Sequence, residues 1–434
     1  MDLPESSLHE AATAAGKEPG NLDRKLGTFY GVFTPTLLTI LGVIMYLRFG
    51  WLVGNLGLAK VIPIVLIANM ITLITTLSFS AVASNTQIGA GGAYYVISRS
   101  LGIEIGGAIG LPLFLSQALS VTLYAYGLAE SLRFVWADLP LQNVTFGIIV
   151  VVGLLAWIGA EKALKAQLPL LILVFLSIVA LGIGALLKSQ VDAIPLRGGT
   201  GEIGFWAGFA VFFPAVTGVM AGLGLSGDLK NPMHSLPRGA FAAVLVGLGV
   251  YLVVPVLLVL GASGEELRND PLVWTRIAPL GPVLILPGLW AAIFSSALGS
   301  ILGAPRTLGA MARDRLAPRL FSRVKDGEPD LLPALVFSVF LALAAVFLGD
   351  LNNVATVVTM FFLTVYGTVN FVAAFEALSG DPSWRPSLAS PWFINLVGGV
   401  ACMAVMVLIN PLVGLLAVIL ELVLWLALSR SERK

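Results

Sequence analysis

Apolar residues along this chain fall into long, unbroken runs, not into a strand-like alternation. A helix crossing the roughly 30 Å hydrocarbon core of a bilayer takes about 20 mostly apolar residues. Twelve runs meet that length: 28–52, 60–83, 104–132, 144–160, 166–188, 203–224, 239–262, 284–303, 332–349, 353–377, 392–409 and 411–429. None has the dyad period of a membrane barrel strand. The pattern therefore predicts an all-α polytopic membrane protein with twelve transmembrane helices. Residues 1–27 are polar and hold no apolar core of a cleaved signal peptide. They read as an N-terminal tail, disordered over 1–20. The longest polar loop, about 304–331, leaves no room for a sizeable soluble domain.

Composition narrows the function. Of the 434 residues 58% are hydrophobic and 11% charged, with a mean hydropathy of +0.95. Soluble domains carry about 25% charged residues, so a soluble enzyme is excluded. A net charge of +1 provides no basic field for nucleic acid. The lone Cys402 cannot form an internal disulfide, and His9 and His234 cannot build a histidine metal site. No catalytic constellation and no phosphate-binding loop is present, so neither an enzyme nor a bound cofactor is expected. Lysine and arginine set the orientation. With the N-terminus in the cytoplasm, Arg48, Lys60, Arg133, Lys188, Arg197, Arg268 and Arg276 fall outside. The rest of the 25 fall inside. Both termini, including 430–434, are expected to be cytoplasmic.

Two runs are interrupted at matching places. The first reads Thr34-Pro35-Thr36-Leu37-Leu38-Thr39-Ile40-Leu41-Gly42-Val43-Ile44, and the sixth reads Phe212-Phe213-Pro214-Ala215-Val216-Thr217-Gly218-Val219-Met220-Ala221-Gly222. Proline removes a helical hydrogen bond, and glycine accepts unwound geometry. Unwound backbone at membrane depth is tolerable where it lines a cavity or is buried in protein. Breaks five spans apart fit two inverted five-helix repeats, a common transporter plan. Repeat one would be 28–188 and repeat two 203–377, with extra helices over 392–429. An unwound helix presents free amides at the start of its second half and free carbonyls at the end of its first. The amides of Gly42, Val43 and Ile44, and those of Gly218, Val219 and Met220, are thus candidate anion sites. Carbonyls at Leu38, Thr39, Ile40 and Pro214 could hold a cation. The same amides would suit chloride or an amino-acid carboxylate.

At these residues the chain resembles the cation–chloride cotransporter family of the amino-acid–polyamine–cation superfamily. Gly42-Val43-Ile44-Met45-Tyr46-Leu47-Arg48 with Trp51 resembles that family's first span. The stretch from Gly91-Gly92-Ala93-Tyr94-Tyr95 to Gly102 resembles its cytoplasmic segment before the third span. Phe212 to Gly222, followed by Ser226-Gly227-Asp228-Leu229, resembles its sixth span. Pro382-Ser383-Trp384-Arg385-Pro386-Ser387 resembles its loop after the tenth. The likeness covers about 27–430 and implies a LeuT-like 5+5 inverted repeat with discontinuous helices 1 and 6. It departs from the eukaryotic members in having no large cytoplasmic C-terminal domain and only a short loop at 263–285. Regulation and dimerisation through that domain do not carry over, although a homodimer stays compatible with the resemblance.

The resemblance also implies ligands. Chloride would bind the amides of Gly42, Val43 and Ile44 at one site. A second site would use those of Gly218, Val219 and Met220 with the Tyr366 hydroxyl. Potassium would meet backbone oxygens of Thr39, Ile40 and Pro214, the Thr217 hydroxyl and Tyr124. Sodium would meet carbonyls of Leu38, Leu41 and Ala292 and the hydroxyls of Ser295 and Ser296. Ala292, Ser295 and Ser296 share one helix face by spacing, and neutral oxygens suit a monovalent cation that must also leave. Threonine at 39 stands where the family usually has asparagine, and Leu41 where it usually has tryptophan.

Ionisable groups in membrane segments are functional candidates. Glu130 is expected near the outer end of the third span, close to Arg133, and Glu421 inside the last. Asp228 and Lys230 suggest a cytoplasmic capping role, and Arg99 an anchor at the headgroups. The expected function is electroneutral symport of sodium and/or potassium with chloride across the plasma membrane by alternating access. The competing functions are an amino-acid or polyamine permease, or a channel or membrane scaffold.

Overall fold

A computed structural model describes residues 26–85, 92–158, 167–188, 203–224, 229–325, 328–379, 384–386, 388–416 and 419. Among them, ten helices are long and apolar enough to cross a membrane. Numbered by the twelve expected spans, they are span 1 Phe29–Leu56, span 2 Leu58–Asn85, span 3 Ile103–Leu132, span 4 Leu141–Ile158, span 5 Gln167–Lys188, span 6 Phe205–Gly224, span 7 Pro232–Gly261, span 8 Gly281–Arg313, span 10 Leu351–Ser379 and span 11 Trp392–Ile409. The ninth expected segment forms the shorter apolar helix Leu332–Leu348. The expected twelfth, 411–429, lies mostly outside the described residues, as do Asp228 and Glu421. A two-residue antiparallel hairpin pairs Val324–Lys325 with Glu328–Pro329. It is a small exception to the expected all-α content.

The helices form because continuous apolar sequence leaves backbone groups no solvent, so each segment must satisfy them internally. Span 8 runs ten residues beyond its expected end at 303 and takes in much of the expected polar loop. The reason is amphipathicity: Arg306 and Arg313, seven residues apart, share one stripe of the helix, and Thr307, Leu308, Gly309, Ala310, Met311 and Ala312 between them are buried. A second amphipathic helix, Gly92–Leu101, precedes span 3. Arg99, expected as an anchor at the headgroups, pairs with Asp314 past the end of span 8 at 2.6 Å. Tyr94 donates to the same carboxylate at 2.9 Å. The Asp314 hydrogen bond raises the Arg99 pKa further above its ordinary value.

Span 3 packs against both span 8 and span 10, and spans 1 and 6 run through the middle. The first half of span 1 lies against spans 5, 7 and 8, and its second half against the start of span 6. Lipid offers helices no hydrophobic reason to associate, so small residues that permit close approach decide the packing. A side chain at Gly127 of span 3 would collide with Val43 of span 1. Outward-facing residues such as Val151, Leu187 and Phe347 are apolar and exposed, as a lipid-facing surface requires.

Candidate functional site

Both expected breaks are present. In span 1, helix Thr34–Ile40 ends at Leu41 (φ −76°, ψ 43°). Gly42 is extended (φ −97°, ψ −153°), and a new helix starts at Val43. The Gly42 amide turns back onto the Ile40 carbonyl at 2.7 Å, so it does not make the helical bond to Leu38. The Val43 and Ile44 amides open a helix whose cap supplies no side-chain acceptor. In span 6, helix Phe205–Phe212 tightens into a 3₁₀ turn, Phe213–Val216. Thr217 and Gly218 then separate it from helix Val219–Gly224. The Thr217 hydroxyl donates to the Pro214 carbonyl at 2.8 Å. The Met220 amide reaches the Thr217 carbonyl at 3.3 Å.

The two breaks touch. A Cβ on Gly218 would lie 2.8 Å from the Thr36 carbonyl oxygen and 2.9 Å from the Ile40 nitrogen. Glycine is therefore required there by the approach of two backbones. A Cβ on Gly42 would lie 3.7 Å from Ser296 Oγ, which places span 8 beside the first break. Ser296 Oγ is buried with no hydrogen-bond partner, although a membrane serine commonly bonds the carbonyl one turn back. Tyr124 of span 3 lines the same cavity as Ser296. Thr39 does bond back, to Pro35 at 2.9 Å. Tyr366 on span 10 is buried with an unpartnered hydroxyl, its ring edge-on to Phe213 at 6.0 Å.

A narrow cavity of about 50 Å³ runs from the breaks toward Arg306, at the end of the bundle where span 1 begins. Thr39, Tyr124, Thr217, Met220, Ser295 and Ser296 line it. Gln117, which accepts from Thr307 at 3.0 Å, lines it lower down. A narrower gap is bordered by Thr39, Ile40, Gly42, Val43, Ile44, Tyr124 and Pro214. The structure thus gathers most of the expected potassium and first-chloride residues in one space. Leu38, Leu41, Ala292, Gly218, Val219 and Tyr366 line neither opening, although all are buried.

The opposite end is closed by packing. Phe49 of span 1 stacks on Phe212 of span 6 at 5.3 Å, and Tyr251 of span 7 meets both edge-on. Beyond them, Arg48 makes two hydrogen bonds to Glu130 at 2.7 and 2.8 Å, and a third to Asn352 at 2.6 Å. Glu130, expected near the outer end of span 3 close to Arg133, pairs with Arg48, while the Arg133 guanidinium donates to the Leu139 carbonyl past the end of span 3. This knot joins spans 1, 3 and 10 at the floor of an outer cavity of about 560 Å³.

Sequence reasoning passed over Tyr251, whose hydroxyl donates to the Ile40 carbonyl and reaches the Ala215 carbonyl at 3.2 Å. A lone phenol in the aliphatic run Gly249-Val250-Tyr251-Leu252-Val253 was the available signal.

Comparison with known proteins places the chain in a family. The family model described as amino acid permease matches residues 31–432, and the chain belongs to that family. It is 32% identical over 469 residues to solute carrier family 12 member 1 of Homo sapiens, covering 92% of this chain and 42% of that protein. It is 31% identical to solute carrier family 12 member 2 of Mus musculus, covering 94% and 39%. With cation-chloride cotransporter 1 of Arabidopsis thaliana it shares 33% identity over 444 residues, covering 89% and 45%. The chain spans less than half the length of these relatives.

Proposed function

We propose that this member of the amino acid permease family is a secondary active symporter. It moves sodium and potassium together with chloride by alternating access at the two helix breaks. The observation that carries the reading is the contact of the breaks beside two buried, unpaired hydroxyls, Ser296 and Tyr366. Unpaired buried polar groups are costly, and a transported ion supplies their missing partner. The name of the Arabidopsis relative, which mentions cations and chloride, favours the same substrates.

In the proposed mechanism, sodium binds Ser295, Ser296 and the carbonyls of Leu38, Leu41 and Ala292. Potassium binds Tyr124, Thr217 and the carbonyls of Thr39, Ile40 and Pro214. One chloride meets the amides of Val43 and Ile44, with Gly42 joining once its turn opens. The other meets the amides of Gly218 and Val219 with the Tyr366 hydroxyl, and Met220 joins once its amide leaves the Thr217 carbonyl. One sodium and one potassium with two chlorides move no net charge. The ligands are backbone dipoles and hydroxyls, so the ions neutralise one another within the site. With the N-terminus cytoplasmic in the plasma membrane, the cavity ending at Arg306 is the cytoplasmic vestibule. The Phe49–Phe212 stack and the Arg48–Glu130 pair then form the closed outer gate. Opening that gate while the inner cavity closes completes the cycle of a twelve-span, LeuT-like 5+5 inverted repeat.

Purified protein in proteoliposomes tests the substrates. Rubidium tracer uptake is expected to require both sodium and chloride. Uptake of an amino acid with no chloride requirement would replace this reading with that of an amino-acid permease.

A further inference from the structure

The Tyr251 phenol is a buried polar group at the breaks that the proposed ion sites do not use. Its ring is fully buried between Phe49 and Phe212, one from each broken helix. Its hydroxyl reaches a carbonyl from each break, Ile40 of span 1 and Ala215 of span 6. The Ile40 oxygen also accepts the Gly42 amide at 2.7 Å. A carbonyl oxygen has two lone pairs, so both are taken in this conformation and none is left for a cation.

We propose that the Tyr251 hydroxyl stands in for the transported cation in the empty carrier. The inference rests on the symport reading above. A symporter must return without its cargo, and its released carbonyls then lie in an apolar interior without a positive partner. That condition is costly at membrane depth. The O–H dipole of Tyr251 supplies the missing positive end while adding no charge. When a cation arrives, rotation about the phenol C–O bond directs the proton to Ala215 alone and frees a lone pair of Ile40. Nothing covalent changes. The fixed ring, held by its two aromatic neighbours, keeps the hydroxyl in reach of both helices. Tyr251 is therefore a positioning residue that acts on the step in which the carrier is empty.

Tyr251→Phe removes the hydroxyl and keeps the ring. Rubidium–rubidium exchange, with sodium and chloride on both sides of the vesicle, cycles only the loaded carrier. Net uptake also needs the empty return. Exchange by the variant is expected within about twofold of wild type, while net uptake falls about fivefold to a hundredfold, as the cost of an unsatisfied buried acceptor implies. An equal fall in both modes, or no fall in net uptake, overturns the proposal. Thermal unfolding gives a second readout. The variant is expected to be less stable than wild type in cation-free buffer, with the gap closing in saturating rubidium, sodium and chloride. A gap that does not depend on the cations overturns the proposal. Wild-type vesicles without chloride-dependent rubidium flux in either mode would overturn the symport reading, and the Tyr251 role with it.

Discussion

Replacing Ser296 by alanine reverses the usual expectation for a buried hydroxyl. Ser296 is 1% exposed, and its Oγ has no hydrogen-bond partner. An unsatisfied buried hydroxyl costs about 1–3 kcal/mol. Alanine removes that cost and leaves a void of only one oxygen, so the ion-free protein should gain about 1 kcal/mol. For a chain of this size that is about one to two degrees in melting temperature. Sodium binding should move the other way. A hydrogen-bonding group facing a charge contributes about 1.5–3 kcal/mol, which is about a 10- to 150-fold weaker sodium response. Two assays on one preparation check both signs. The first is thermal unfolding with and without sodium, and the second is sodium-dependent rubidium uptake. The double change Ser295→Ala with Ser296→Ala should abolish sodium dependence. A variant that is less stable without sodium, and whose sodium dependence is unchanged, would show that the hydroxyl is structural and refute the reasoning.

Tyr366 follows the same logic for the anion: Tyr366→Phe should leave ion-free stability unchanged or slightly raised and weaken chloride about tenfold, read from the chloride dependence of uptake. Gly218→Ala puts a methyl 2.8 Å from the Thr36 carbonyl. Overpacking of that kind costs about 1–3 kcal/mol, and transport should be lost even where the protein still reaches the membrane. Glu130→Gln leaves Arg48 with only part of its hydrogen bonding, and the outer knot should loosen by about 1–3 kcal/mol, less than for a fully buried pair because these side chains border a wet cavity. In a Val43→Cys background, labelling from the outside by an impermeant thiol reagent should then speed up, and an unchanged rate would mean that the pair does not gate.

What could be read from the sequence was local. The breaks at Leu41–Gly42 and Thr217–Gly218 arise from proline and glycine chemistry within a few residues, and the structure has both. The serine pair on span 8 follows from helical spacing, and the fold brings Ser296 of that pair beside Gly42. What sequence could not give was the choice of partner across the fold. Arg133 is three residues from Glu130, yet it lies beyond the helix end and bonds its own loop, while Arg48 arrives from another span. Arg99 likewise found Asp314, more than two hundred residues away. Tyr251 reaches Ile40 over a similar separation, and no periodicity marks a phenol that serves two distant carbonyls. The amphipathic extension of span 8 escaped because a hydropathy window ends where charges begin, although its buried face continues to Ala312.

The central claim, coupled and electroneutral movement of cations with chloride, is tested most directly by measuring charge and tracer on the same proteoliposomes. An imposed membrane potential acts on each uncompensated elementary charge with about 2.3 kcal/mol per 100 mV. The account predicts sodium- and chloride-dependent rubidium uptake whose rate barely responds to that potential and which carries no net current. Uptake that rises steeply with an inside-negative potential, or that persists with chloride fully replaced, would contradict it.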